Sequence, residues 1–570
     1  MRDAWTFAQL DDYWARYEPL SPWGKDHKDK RPVMTERAAI EESYDDIEAA
    51  LAWMERSAAE PLRLERAGYH LRRMPRLPEP GRADYELLEL FQIKKFLANY
   101  RGLLAATDEP VARRFDLAPR CAALAAELDR GGSDAETFYL ADSYDAGLAE
   151  ARAGLAAVDA ALKAAKAEAE ALAKAELGLA FDGRDFVVAP REGVSAEALE
   201  RAKLTAEPYD DGRLLLRPAP RAAIAALEER REALYEAERE AENRVLRRLS
   251  ALAEAAGPEL GAAVRAVARW DLARAGALLA KGLGCTRPRL DGDGLELEQG
   301  RFVPCMDECA ALGLSYEPLD ATVRSAAALI FGSNMGGKTV ALKTLCFMQL
   351  LAQAGLYVPA ASFRTRVYRE VHYVGELVGE RLAGLSGFGF EVWRFQAAWA
   401  SRRDALAFFD EPARTTGSHE AEALLSALVD AYLAAGGAAG DGAAGDGAAG
   451  DGAAGDGARA VFATHFRGVA RLPGAEYWRM HGLDRRAACA GLDADAPLPE
   501  RLAGINRAMR YRLEPDDESS PPGSDALAIA AMLGLDCAVV ERAERYFSGD
   551  FGTVYSASAA RGGETTRMDE

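Results

Sequence analysis

Apolar positions along the chain change their period three times, and each change predicts a different kind of element. Over Glu36–Trp53 the apolar residues Ile40, Tyr44, Ile47 and Leu51 fall at helical spacing among acids. Tyr85–Leu104 repeats the pattern with Leu87, Leu88, Leu90, Phe91, Ile93, Phe96 and Leu97. Pro75, Pro78 and Pro80 separate the two stretches, and Gly131-Gly132 marks a further break. Stripes of this period predict helices packing around a shared core. Two longer helical patterns with few breakers follow. One runs roughly from Tyr144 to Leu177, with Leu148, Leu155 and Leu162 seven residues apart. The other runs roughly from Ala222 to Ala256, striped by Leu227, Leu234, Val245, Leu249 and Leu252. At 1.5 Å per residue, about 35 residues make an arm on the order of 50 Å, and such a pair can pack as an antiparallel coiled arm. Between them, 179–220 has short β-like runs, Asp185–Ala189 and Arg213–Leu216, with turn signals at Asp182-Gly183 and Asp211-Gly212.

After Gly257 the helical period returns to about Leu283. Leu290–Val303 then reads as strands turning at Asp291–Gly294, and strands alternate with helices to the end, as in an α/β domain. The expected organisation is a helical core (1–143), a lever helix (144–178), a small clamp-like tip (179–220), a returning helix with more core (221–284) and an α/β domain (285–570). The fold class is therefore α followed by α/β. Gly437–Gly457 repeats Ala-Ala-Gly-Asp-Gly four times, a composition that cannot bury apolar surface. It is expected to be a flexible insertion at 436–458.

Chemistry enters where three wholly apolar runs end. Ala326–Phe331 leads into Gly332-Ser333-Asn334-Met335-Gly336-Gly337-Lys338-Thr339, the phosphate-loop pattern, and a helical stretch follows. In that context backbone N–H groups and the helix N-terminus converge on phosphate oxygens. Lys338 would reach the β/γ-phosphates of ATP, and Thr339 would ligate Mg²⁺. Ala405–Phe409 ends in Asp410-Glu411. Asp410 would hold the Mg²⁺ shell, and Glu411 would act as general base on water. Val461-Phe462-Ala463 ends in Thr464-His465, which puts His465 on the ligand-binding edge of a parallel sheet, within reach of the γ-phosphate. A fourth stretch, Ala383–Glu391, is a Gly/Ser-rich loop before an aromatic and acidic helix start. Its Ser386 could face the γ-phosphate of a second subunit.

Composition narrows the partners. A formal net charge of −20 disfavours non-specific binding to nucleic acid or an anionic membrane unless a basic patch is segregated. Lys203, Arg213 and Arg217 near the tip are diluted by Glu197, Glu200, Asp210 and Asp211. Seven scattered cysteines suggest reduced thiols, and Cys305–Cys309 has no further ligands at zinc spacing. Without a signal-peptide pattern or a run of spanning length, the expected setting is cytoplasmic and off the membrane.

The order of these motifs resembles the MutS family of ABC-type ATPases. Asn334-Met335-Gly336-Gly337-Lys338 is similar to that family's Walker A, Asp410-Glu411 to its Walker B and Thr464-His465 to its His switch. Ser386, Phe388 and Glu391 fit its Ser-Thr-Phe-x-x-Glu signature, with Gly387 in place of Thr. The stretch from Tyr511 to Leu535 resembles the segment after the ATPase core. The resemblance is strong over 325–545 and one of order only before that. It implies ATP and Mg²⁺ as cofactors. It also implies a homodimer, or pairing with a related subunit, that closes two nucleotides between Walker A and the partner's signature loop. The only Phe-x-Glu lies inside Walker B, so mismatch reading by the family's Phe-x-Glu wedge is not expected. Asp410-Glu411-Pro412-Ala413-Arg414-Thr415-Thr416 replaces the usual Asp-Glu-x-Gly-Arg-Gly-Thr. That variant resembles a subgroup associated with adenosylcobalamin-dependent aminomutases, which implies a reactivase with a mutase as protein client. The alternative client is mismatched or branched DNA.

Overall fold

A computed structural model describes residues 1–30, 33–79, 82–132, 134, 136–181, 184–219, 222–332, 336–376, 387–436, 457–484, 497–516 and 525–547. The repeat at 437–456 lies outside the described residues. The chain forms two compact units. One joins Met1–Pro19, Gly24–Ala58 and Trp270–Glu570, and the other joins Leu20–Trp23 and Ala59–Arg269.

In the second unit the long helices are Ala146–Leu177 and Ala222–Ala255. Asp145 starts the first by accepting the Leu148 N–H at 3.1 Å, and Gly178, at φ 68°, ends it. Arg244 pairs with Asp145, Arg152 with Glu238 and Glu242, and Arg231 with Asp159. As one number rises the other falls, so the two helices run antiparallel. Three strands, β1 (Val187–Pro190), β2 (Leu204–Asp210) and β3 (Arg213–Pro218), form an antiparallel sheet in the order β1-β3-β2. Its core is small, with Phe181, Leu204 and Leu216 packing against Ala173 at the end of the first long helix.

In the first unit, β4 (Leu295–Gly300), β5 (Leu319–Val323) and β7 (Ser362–Arg364) form an antiparallel sheet in the order β5-β4-β7. The larger sheet contains β6 (Ala327–Phe331), β8 (Glu370–Val374), β9 (Ala405–Asp410), β10 (Arg459–Thr464), β11 (Glu476–Leu483) and β12 (Met509–Pro515). Its order is β12-β11-β6-β10-β9-β8. All neighbours are parallel except β11 and β12, which are antiparallel. β6 is buried at every position, and β9 and β10 at every position but one. The helix Ser418–Gly436 covers one face, where Leu425, Val429 and Tyr432 meet Leu329, Phe409 and Phe462. The helix Lys338–Gln353 packs on β9 and β10. A strand enclosed on both faces has no polar side to show, which is why these strands read as unbroken apolar runs.

Two expectations change. Leu290–Val303 holds one strand, β4, and Val303 begins a helix, Val303–Ala311, whose Pro304 suits the first helical turn. The N-terminal helices also do not form one domain with residues up to 143, because most of the first 58 residues belong with the larger sheet. Phe7 stacks on Tyr373 of β8 with ring centroids 3.8 Å apart. The Tyr44 hydroxyl donates to the Ala352 carbonyl at 2.7 Å, and Met34 N–H donates to the Gln353 carbonyl at 2.8 Å. Helical periodicity shows which face of a helix is buried but not which partner buries it.

Candidate active site

Parallel pairing brings three strand ends level. Thr464 of β10 stands opposite Phe331 of β6, and Ala463 stands opposite Asp410 of β9. The residues that follow, Gly332, Glu411 and His465, therefore leave the same edge of the sheet. In a parallel sheet this C-terminal edge is where ligands bind.

Gly337 caps the helix Lys338–Gln353 at φ 87°, a conformation that side-chain-bearing residues rarely adopt. A Cβ there would also come within 2.9 Å of the Tyr511 ring. The helix therefore begins at the sheet edge, and a helix N-terminus is a ready site for an anion. Lys338 is 3% exposed. Its Nζ donates to the Gly332 carbonyl at 2.9 Å and lies 3.3 Å from Glu411 Oε1. Burial pushes Lys338 below its ordinary pKa, opposed by Glu411 and Asp410. His465 Nδ1 stands 3.6 Å from the same Glu411 oxygen, and its side chain is 37% exposed. Exposure rises from Lys338 through Glu411 to His465, so Glu411 bridges a buried cation and a solvent-facing imidazole. Thr339 Oγ1 donates to Asp410 Oδ1 at 3.1 Å. Burial pushes the Asp410 carboxyl up, and the Thr339 hydroxyl opposes that shift.

The turn after β9 is unusual. Glu411 has φ 50° and Ala413 φ 61°, both left-handed. Glu411 N–H donates to the Ala463 carbonyl at 2.9 Å, which ties the turn to β10. Ala413 occupies the position where the resemblance leads one to expect glycine, and its positive φ gives that glycine a physical reason. After β10, the Thr464 hydroxyl accepts the Phe466 N–H, and Glu422 of the helix Ser418–Gly436 accepts the Gly468 N–H at 2.8 Å. The loop carrying His465 is thereby anchored downstream.

A cavity of about 290 Å³ adjoins the loop, with Gly337, Lys338 and Thr339 on one side and Tyr316, Met480 and Tyr511 on the other. Asn506 also lines it and accepts from Ser315 N–H and Oγ. Glu317 accepts from Tyr511 N–H at 3.1 Å and from Arg512 Nε at 2.7 Å. These bonds fix the 506–512 segment against 315–317 and place Tyr316 and Tyr511 in the wall of the same cavity as Gly337 and Lys338. No local pattern marks Tyr316 or Asn506, which line the same cavity although 190 residues apart in sequence.

Of the sequence-derived site residues, Gly332, Gly336, Gly337, Lys338, Thr339, Asp410, Glu411 and His465 are described, and the last five converge. Ser333, Asn334, Met335 and Ser386 lie outside the described residues. Among the described residues no group of three or more His, Cys, Asp or Glu side chains is arranged to hold a metal, and no helix is long and apolar enough to cross a membrane.

Residues 328–439 match the family model described as MutS domain V. The chain is 28% identical over 237 residues to the DNA mismatch repair protein MutS 2 of Halobacterium salinarum, covering 40% of this chain and 27% of that protein. It is 28% identical over 343 residues to the endonuclease MutS2 of Solidesulfovibrio magneticus, covering 57% and 37%. A third relative, the endonuclease MutS2 of Symbiobacterium thermophilum, is 32% identical over 202 residues, covering 34% and 24%. The chain thus spans about a quarter to two fifths of the length of these curated relatives. Residues 328–439 are thus similar to MutS domain V, within a chain similar to MutS2-type proteins over part of their length.

Proposed function

We propose that this protein is a MutS-like switch that binds and hydrolyses ATP and acts on DNA. The observation that carries the reading is the meeting of Lys338, Thr339, Asp410, Glu411 and His465 at one sheet edge. The helix N-terminus and Lys338 would cradle the β/γ-phosphates, and the cavity walled by Tyr316 and Tyr511 would take the base. Thr339 and Asp410 are hard oxygen donors already 3.1 Å apart. They suit Mg²⁺, which is held by one or two protein oxygens and keeps its remaining ligands from water and phosphate. Bound there, the ion would neutralise charge on the transferring phosphoryl group. Glu411 would orient the attacking water and accept its proton. His465 would contact the γ-phosphate side of the site.

The sheet edge supplies one half of a nucleotide site in the dimer reading. The second half, the loop around Ser386 of another protomer or of a related subunit, belongs to this proposal. The antiparallel helices Ala146–Leu177 and Ala222–Ala255 would serve as the arm that reaches the client.

The names of the relatives concern mismatch repair and endonuclease action, which favours DNA as the client. The cobalamin-dependent aminomutase suggested by the Asp410–Thr416 variant has no counterpart among them. Their nuclease action is not carried over, since the chain spans only part of their length. Two measurements test the reading. Purified protein should hydrolyse ATP in a Mg²⁺-dependent manner, and it should bind branched or mismatched DNA with an affinity that falls steeply with salt. Absence of ATP turnover would overturn the enzymatic reading. Turnover without DNA binding would overturn the choice of client alone.

A further inference from the structure

We propose that Glu391 is a positioning residue for ATP hydrolysis, holding the turn after β9 in the conformation that keeps Glu411 beside Lys338 and His465. This rests on the ATPase reading above.

The argument starts from the backbone of the turn. Glu411 and Ala413 both occupy the left-handed region, which is costly for residues with a Cβ and persists only where surrounding contacts over-determine it. Pro412 between them has no N–H to give. Across these three residues only two backbone donors exist, and each has one partner. Glu411 N–H goes to the Ala463 carbonyl at 2.9 Å, and Ala413 N–H goes to Glu391 Oε2 at 3.0 Å. The first bond fixes where the turn begins and the second fixes how it continues. Ala413 is buried, so without Glu391 its N–H would lack both a partner and ready access to water.

The surroundings show that a carboxylate there is not a packing choice. Glu391 borders a cavity of about 230 Å³ whose walls are mostly apolar, Phe388, Val392, Phe395, Phe409 and Leu428 among them, with Asp410 and Gln396 as its other polar side chains. An apolar side chain would suit such walls better. Burial pushes the Glu391 carboxyl above its ordinary pKa, and the Ala413 N–H opposes that shift. The helix Gly387–Ala400 that carries Glu391 is itself tethered. Arg394, one turn later, is buried, donates to the Gly375 carbonyl at 2.8 Å just past β8, and pairs with Asp3. Glu391 and Arg394 therefore tie one helix to the ends of two neighbouring strands. Glu391 does not touch Lys338, Thr339 or His465 in any observed bond. It acts through Ala413 and the two peptide links to Glu411.

The test compares wild type, Glu391→Ala and Glu391→Gln in the full chain. Binding is read with a fluorescent ATP analogue, turnover by steady-state hydrolysis, and the turn by hydrogen exchange of a peptide covering 410–416. Glu391→Gln keeps an oxygen that can accept the Ala413 N–H, so its kcat should stay within about threefold of wild type. Glu391→Ala should lose about 10- to 100-fold in kcat, the scale expected when a catalytic base is misplaced. Its affinity for the analogue should stay within about twofold, and only its 410–416 amides should exchange faster. Wild-type kcat in Glu391→Ala would overturn the proposal while leaving the ATPase reading intact. So would equal losses in Glu391→Ala and Glu391→Gln, or losses of affinity and kcat in proportion. A wild-type protein that does not hydrolyse ATP overturns the ATPase reading, and this proposal with it.

Discussion

The six-stranded sheet of one unit and the β1-β3-β2 sheet of the other differ in what surrounds their strands. In the larger one, β6, β9 and β10 lie between helices and are buried almost throughout. In the smaller one, β2 is buried only at Leu204 and exposed at its other six positions. Here β6, β9 and β10 stop level, so their ends collect side chains at one edge. That edge carries Lys338, Asp410, Glu411 and His465. The antiparallel β1–β3 sheet has one packed face, a six-residue core of Ala173, Phe181, Ala189, Ala202, Leu204 and Leu216, and no comparable gathering of reactive groups among its described residues. Chemistry follows the enclosed sheet because a low-dielectric surround makes a charged group there count for more.

That contrast can be broken or sharpened by experiment. The largest expected effect is Lys338→Ala, which removes the buried cation beside Glu411 and should abolish detectable binding of a fluorescent ATP analogue. Glu411→Gln should come next. It should bind the analogue near normally and lose about 10²–10⁴ in kcat, the usual contribution of general base catalysis. Steady-state turnover close to wild type would remove Glu411 from its role. Phe462→Ala probes the enclosed core, where the ring stacks on Phe409 with centroids 4.6 Å apart. A large-to-small change there should cost about 3–5 kcal/mol in denaturant unfolding. Leu216→Ala probes the smaller sheet and should cost about 2–3 kcal/mol, at the low end because few residues must rearrange around it. Hydrogen exchange should quicken across 187–218 in that variant while ATP turnover is unchanged. Tyr209→Ala, on the exposed length of β2, should stay within about 0.5 kcal/mol of wild type. A cost for Tyr209→Ala matching that for Leu216→Ala would show that the contrast between enclosed and open strands is misplaced.

The turn after β9 shows where sequence reading stops. Ala405–Asp410 was legible because its apolar run is continuous and ends in two acids. The departure at Ala413 was legible too, as a residue out of pattern. That Ala413 sits at φ 61° and is held by Glu391, 22 residues earlier, was not. A hydrogen bond from a backbone N–H leaves no mark on the identity of the residue that donates it. The pair of tyrosines lining the cavity beside Gly337 and Lys338 was hidden for a similar reason. Tyr316 and Tyr511 come from opposite sides of the domain's sequence and meet only because β12 pairs with β11 beside β6.

What the sequence determined by itself was contiguous: the apolar strands β6, β9 and β10, the glycines and Lys338 at the start of one helix, and the acids and histidine that end their strands. Each is a local pattern whose physics acts within a few residues, either burial on both faces or conformational freedom at a turn. Tertiary structure alone decided what lies across the sheet. It set the level register that puts Asp410 3.1 Å from Thr339, 71 residues away in sequence, and that places Glu411 between Lys338 and His465. It also sent the N-terminal helices to β8 and to the helix Lys338–Gln353, through Phe7 on Tyr373 and Tyr44 on Ala352. Those choices depend on shape and hydrogen-bond geometry between distant segments, and no run of residues encodes its partner's position.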